Sequence, residues 1–133
     1  MLSAAVDIYR RTRKPHDIIW NRLVARPLAA LVVVPLARTG ITPNQVTFLT
    51  LPVFLAGAAL LALRPSWSAL VASAAIIELS YVLDCADGQL ARLKGMSSPV
   101  GAHLDFLMDE LKAFALVAAS ASGRTWSRVS GAR

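Results

Sequence analysis

The amino-acid sequence predicts an all-α membrane bundle: an N-terminal interfacial helix followed by about three transmembrane helices. Three observations predict it. Hydrophobic residues make up 56% of the 133 residues and charged residues only 17%, with a mean hydropathy of +0.54, so a soluble globule of this size would expose too much apolar surface. Between Thr39 and Leu83 the only charges are Arg64 and Glu78, the pattern of a bilayer-embedded stretch. Capping and turn signatures then divide the chain into segments of spanning length. The lone Cys85 excludes an internal disulfide, and with it a stapled secreted mini-domain; it reads as a small apolar residue.

The first region, residues 1–41, is a basic arm carrying an interfacial amphipathic helix. Arg10, Arg11, Arg13, Lys14, Arg22, Arg26 and Arg38 face only Asp7 and Asp17 in acidic charge. Such an arm suits nucleic acid or an anionic membrane surface. The adjoining apolar stretch decides for the membrane, where each basic residue near anionic lipid gains roughly 1 kcal/mol. No compact apolar core with a small-residue cleavage site follows the charges, so the arm is expected to stay attached. From about His16 to Arg38, Ile18, Ile19, Trp20, Leu23 and Val24 interleave with arginines, and Pro27 and Pro35 bracket a run too short to span. That segment is expected to lie on the membrane with its arginines at the headgroups.

The second region, residues 42–123, is the expected transmembrane core, with helices at about 43–63, 67–94 and 99–122. Thr42 is a candidate N-cap, Pro43 the first helical residue and Gln45 the reciprocal capping partner. Residues 43–63 make about 30 Å of helix, enough to cross the hydrocarbon. Arg64, Pro65, Ser66 and Trp67 form a turn with an interfacial aromatic. Gly95 is the expected stop of the second helix, and Ser97-Ser98-Pro99 repeats the cap-then-proline signature for the third. Residues 124–133 form a basic tail. Lysines and arginines in the arm and in the second loop place both on the cytoplasmic side.

Asp84, Asp87, Gly88, Ala91 and Arg92 fall on one helical face, and Gly101, Asp105 and Asp109 fall on one face of the next helix. A helical hairpin sets those faces opposite each other, so four carboxylates converge at the membrane edge. Like charges repel there, and desolvation raises the cost of ionising each. Hard divalent cations are the economical solution: Mg²⁺, Mn²⁺ or Ca²⁺ rather than Zn²⁺, because no cysteine or histidine cluster accompanies the aspartates. Two such ions bridged by carboxylates suit displacement at phosphorus. Gly88 and Ala91 leave space for phosphates to approach the helix backbone.

The run Asp84-x2-Asp87-Gly88-x2-Ala91-Arg92-x8-Gly101-x3-Asp105-x3-Asp109 resembles the full signature of the CDP-alcohol phosphatidyltransferases, and Thr42-Pro43-Asn44-x2-Thr47 resembles the start of that family's first membrane helix. The resemblance covers roughly Thr42 to Ala115. It implies transfer of a phosphatidyl group from a CDP-linked lipid, typically CDP-diacylglycerol, to an alcohol with release of CMP. It also implies two metal ions, Mg²⁺ or Mn²⁺, on Asp84, Asp87, Asp105 and Asp109, with Asp109 also taking the proton of the attacking hydroxyl. The substrate site would comprise Asn44, Thr47, Asp84, Gly88, Ala91, Arg92 and Gly101. The implied setting is an integral membrane enzyme of phospholipid biosynthesis in a bacterial inner membrane, its site facing the cytoplasm, with a homodimer usual for the family.

The family fold usually has six membrane helices, and this chain supplies about half. Three crossings leave Arg124, Arg128 and Arg133 outside, against the positive-inside rule. The expectation is a C-terminally shortened homologue, with an inactive form as one alternative and a small cation-pathway protein as another. A pathway needs acids through the membrane depth, whereas only Glu78 lies deep. Glu78 is expected as a neutral, hydrogen-bonded carboxyl between helices, Lys112 as a side chain that snorkels to the headgroups or else meets substrate phosphate, Glu110 as a structural residue and His103 as an interfacial filler, both off the acidic stripe.

Overall fold

A computed structural model describes residues 1–12, 19–64 and 66–121. The basic tail, the expected end of the third core helix at Ser122, Pro65, and Arg13, Lys14, His16, Asp17 and Ile18 of the arm therefore lie outside the described residues. Every described element is helical. Helix α1 spans Leu2–Thr12, a π-helical turn at Asn21–Ala25 leads into α2 at Arg26–Ala37, and α3 (Pro43–Leu63), α4 (Trp67–Leu93) and α5 (Pro99–Ala121) follow. These are the elements of an all-α membrane bundle.

Local chemistry sets the boundaries. Thr42 caps α3 with a full capping box: its Oγ1 accepts from the Gln45 N–H at 3.4 Å, and Gln45 Oε1 accepts from the Thr42 N–H at 2.9 Å. Ser66 Oγ accepts from the Ala69 N–H to start α4, and Ser98 Oγ accepts from the Gly101 N–H at the start of α5. Helix α4 ends in a Schellman turn: Gly95 sits at φ +64°, Met96 N–H donates to Ala91 C=O at 2.9 Å and Gly95 N–H to Arg92 C=O at 3.3 Å. Only glycine adopts that backbone cheaply. The π turn has a cause as well. Pro27 has no N–H to close an α-helical bond to Leu23, and the Arg26 N–H instead reaches the Asn21 carbonyl.

The most extensive packing is between α3 and α4, with α2 against α4 and α1, and α5 against α3. The α3–α4 seam is lined by small and hydroxylic residues. Ser73, Ser80 and Asp87 recur every seven residues on α4, and all three are buried, as are Thr47, Thr50, Phe54 and Gly57 on α3. Ser80 Oγ donates to the Thr50 carbonyl at 2.9 Å. At Gly57 an added Cβ would lie 2.9 Å from Ile77 Cγ1 and 3.3 Å from the Ser73 carbonyl oxygen, so the helices cross in near contact of their backbones. Lipid supplies no hydrophobic drive between helices, and close approach with interhelical hydrogen bonds takes its place.

Helices α3 and α4 are the two described helices long and apolar enough to cross a membrane. Helix α5 matches them in length, but Asp105, Asp109, Glu110 and Lys112 interrupt its apolar face. Phe48, Leu49, Leu55, Val71, Leu79, Phe106, Phe114 and Val117 point outward, as side chains solvated by acyl chains do.

The N-terminal region differs from the sequence reading in two ways. Leu2–Thr12 is itself an amphipathic helix with Ala5 and Ile8 buried against the bundle. Arg26 is not at the surface: it is buried and donates from Nη1 to the Thr12 carbonyl at 3.3 Å. The small faces of Ala25, Ala29 and Ala30 draw α2 against its neighbours, and the arginine is turned inward to close the end of α1.

Candidate functional site

The acidic residues gather where α4 and α5 face each other. Asp84 on α4 and Asp105 and Asp109 on α5 each offer a carboxylate oxygen, and the three lie within 4.8 Å of one another. Asp87 stands outside that triad. It is buried, and its Oδ2 accepts from Thr47 Oγ1 at 2.5 Å, which ties α4 to the first turns of α3. Thr47 also donates to the Pro43 carbonyl, so the hydroxyl is shared between its own helix and Asp87.

Beside the triad a cleft of about 200 Å³ opens at one end of the bundle. Asn44 and Thr47 from α3, Asp87, Gly88, Ala91 and Arg92 from α4, and Gly101 and Asp105 from α5 all line it. The expected substrate residues thus share one cavity, apart from Asp84, which lies on the other side of the acids. A Cβ at Gly88 would come no closer than 3.6 Å to Arg92 Nη1. The glycine is therefore not demanded by packing within the chain, and the space it leaves belongs to the cleft. Helices α3 and α5 both begin here, so the positive ends of two helix dipoles and the Arg92 guanidinium surround a cavity suited to phosphate groups.

Lys112 departs from its expected place. Instead of snorkelling to the headgroups, it is buried at 8% exposure, and its Nζ donates to Asp84 Oδ1 at 2.5 Å and to Asp109 Oδ1 at 3.3 Å. Lys112 lies one turn beyond Asp109 on the same helix face, and the poorly solvated Asp84 carboxylate, 13% exposed, together with Asp109 attracts it more strongly than the interface does. The i,i+3 spacing was the available signal. Lys94, by contrast, stays outside the acids: its Nζ donates to the carbonyls of Thr39 and Ile41, at 2.8 Å each, and pins the α2–α3 loop to the end of α4.

A second cavity, of about 310 Å³, lies on the opposite side of the acids. Asp84, Asp109 and Lys112 form one wall; Trp20, Phe54, Glu78 and Tyr81 are among the others. Glu78 Oε1 accepts from Trp20 Nε1 at 3.1 Å, and Tyr81 donates its hydroxyl hydrogen to Asn21 Oδ1. The sequence reading expected a hydrogen bond for Glu78 but had no way to supply the partner, which is 58 residues away. Neither His103, bonded to the Pro99 carbonyl on its own helix, nor exposed Glu110 lines either cavity.

The described residues thus form a helical bundle with an all-oxygen acidic cluster beside a polar cleft. The family model described as CDP-alcohol phosphatidyltransferase matches residues 40–130, well over half of the chain, and the protein belongs to that family. No curated protein matches it. The family's reaction is phosphatidyl transfer from a CDP-alcohol to an acceptor alcohol in phospholipid synthesis, and its members use divalent metals. With α3 and α4 of spanning length and apolarity, the chain is an integral membrane protein.

Proposed function

We propose that this chain transfers the phosphatidyl group of a CDP-diacylglycerol-type lipid to an alcohol and releases CMP. The observation that carries the reading is the adjacency of two features: carboxylate oxygens of Asp84, Asp105 and Asp109 within 4.8 Å of one another, and a cleft holding Asn44, Thr47, Gly88, Ala91, Arg92 and Gly101. The donor set is hard and anionic, which fits Mg²⁺ or Mn²⁺. Asp84, Asp105 and Asp109 would hold such ions, with Asp87 at the edge of the cleft as the fourth ligand. Ions held by these residues would supply positive charge against the diphosphate and the departing CMP.

The protein's own groups account for the rest. Arg92 and the first turns of α3 and α5 bind the nucleotide diphosphate. Asp109, whose side chain is 57% exposed, is the accessible member of the triad and the base for the acceptor hydroxyl. The hydroxyl oxygen forms a bond to the phosphorus that carries diacylglycerol, the bond from that phosphorus to the bridging oxygen breaks, CMP leaves with the electron pair, and the proton passes to Asp109. Lys112 keeps a fixed positive charge against Asp84 and Asp109 and so limits their mutual repulsion. In this reading the site faces the cytoplasm of a bacterial inner membrane, and two chains associate as a homodimer.

The test is CMP release from CDP-diacylglycerol by membranes containing the full chain, across a panel of alcohols, with and without Mg²⁺. Release is expected only with the metal, and an Asp109→Asn variant is expected to lose about 10³-fold in rate, within the range of general-base contributions. Equal release by wild type and variant would overturn the assignment of Asp109; the absence of release with every acceptor would overturn the function.

A further inference from the structure

The two cavities on either side of the acids differ in charge, and the difference bears on which alcohol enters. The nucleotide cleft contains Arg92, a guanidinium suited to phosphate. The second cavity contains Glu78, Asp84 and Asp109 against one cation among its described lining residues, Lys112. That cation is already engaged by both aspartates, at 2.5 and 3.3 Å. With Asp84 and Asp109 committed to Lys112 and, in the phosphatidyl-transfer reading, to metal ions, Glu78 is the carboxylate of the described lining that no cation holds. An ammonium group would meet the Glu78 carboxylate and the rings of Trp20, Tyr81 and Phe54. A carboxylate among aromatic faces is the chemistry that holds alkylammonium ions.

Resting on the phosphatidyl-transfer reading, we infer that this second cavity is the acceptor site and selects a small amino alcohol, with Glu78, Trp20 and Tyr81 as its specificity-determining residues. The geometry matches an acceptor with a cationic and a nucleophilic end. Glu78 stands six residues before Asp84, about 9 Å along α4, while the wall nearest the metal ligands carries Asp109, the proposed base. The ammonium seats toward Glu78 and the hydroxyl is left facing Asp109. The volume of about 310 Å³ falls at the lower end of the range for small-molecule sites. Trp20 comes from the segment before α2, and its hydrogen bond to Glu78 makes the N-terminal region a wall of the site as well as a membrane contact.

The experiment uses the full chain in lipid nanodiscs with CDP-diacylglycerol and Mg²⁺, and compares ethanolamine and choline with glycerol, inositol and glycerol 3-phosphate. The amino alcohols are expected to give the highest kcat/KM. Glu78→Gln is expected to raise the KM for choline about tenfold, in keeping with loss of a charge at an aromatic ammonium site, with the change falling in KM and not in kcat. Glu78→Asp should recover part of that loss, which a purely structural role would not do. Choline titrated without nucleotide should also quench Trp20 emission, a response absent from Trp20→Phe, so binding is read even where turnover fails. Preference for glycerol 3-phosphate, an equal effect of Glu78→Gln on every acceptor, or no emission response to choline would each overturn the inference. The phosphatidyl-transfer reading fails separately, on the absence of CMP release with all five alcohols.

Discussion

Around Gly57, helices α3 and α4 meet through bare backbone and the side chains of Ile76 and Ile77; around Thr47, the same two helices meet through a hydroxyl and the buried carboxylate of Asp87. One seam with one seven-residue repeat, Ser73, Ser80 and Asp87, runs through both. In the first region the repeat is spent on close packing, because a membrane helix pair gains most from letting backbones approach. In the second it presents a carboxylate beside the cleft. A polar group so placed is tolerated because Thr47 satisfies it, and an isolated buried charge would be far more costly.

The comparison can be broken at either end. At the acidic end the largest effect on stability is expected from Lys112→Met, which removes the cation between Asp84 and Asp109. Loss of one partner of a buried ion pair costs on the order of 3 kcal/mol. The variant should melt well below wild type in metal-free buffer, and added Mg²⁺ should raise its melting temperature more than it raises the wild type's, because the ion supplies the missing charge. A variant as stable as wild type without metal would show that Lys112 contributes no net charge compensation.

At the packing end, Gly57→Ala should cost about 1–3 kcal/mol by overpacking, since the new methyl meets Ile77 at 2.9 Å and the Ser73 carbonyl at 3.3 Å. Its melting temperature should fall, while the Mg²⁺ concentration for half-maximal CMP release stays at the wild-type value. A shift in that concentration would show that the two ends of the seam are coupled. The smallest effect belongs to the capping box. Thr42→Ala removes the acceptor for the Gln45 N–H and should cost about 1 kcal/mol, and Thr42→Ser should restore it.

Local signals carried much of the architecture. The Thr42-Pro43 and Ser98-Pro99 starts and the Gly95 stop are one-turn hydrogen-bonding arrangements, and the apolar composition from Thr39 to Leu83 requires a low-dielectric surrounding whatever the fold. The faces of the acidic stripes follow from 3.6 residues per turn. Helix α1 was not legible in the same way: Leu2–Thr12 carries charges that read as an arm, and its amphipathic face gains meaning only against α2.

By itself the sequence determined that helices of spanning length exist, where α3, α4 and α5 begin, and that aspartates repeat along two of the faces, because caps, turns and periodicity act within a few residues. Tertiary structure alone decided that Asp87 bonds Thr47 while Asp84 joins Asp105 and Asp109, that Lys112 turns inward, and that Trp20 bonds Glu78, distant from it in sequence. Those choices depend on distances between separate helices and on which charges are left without water, and neither is set until the helices pack.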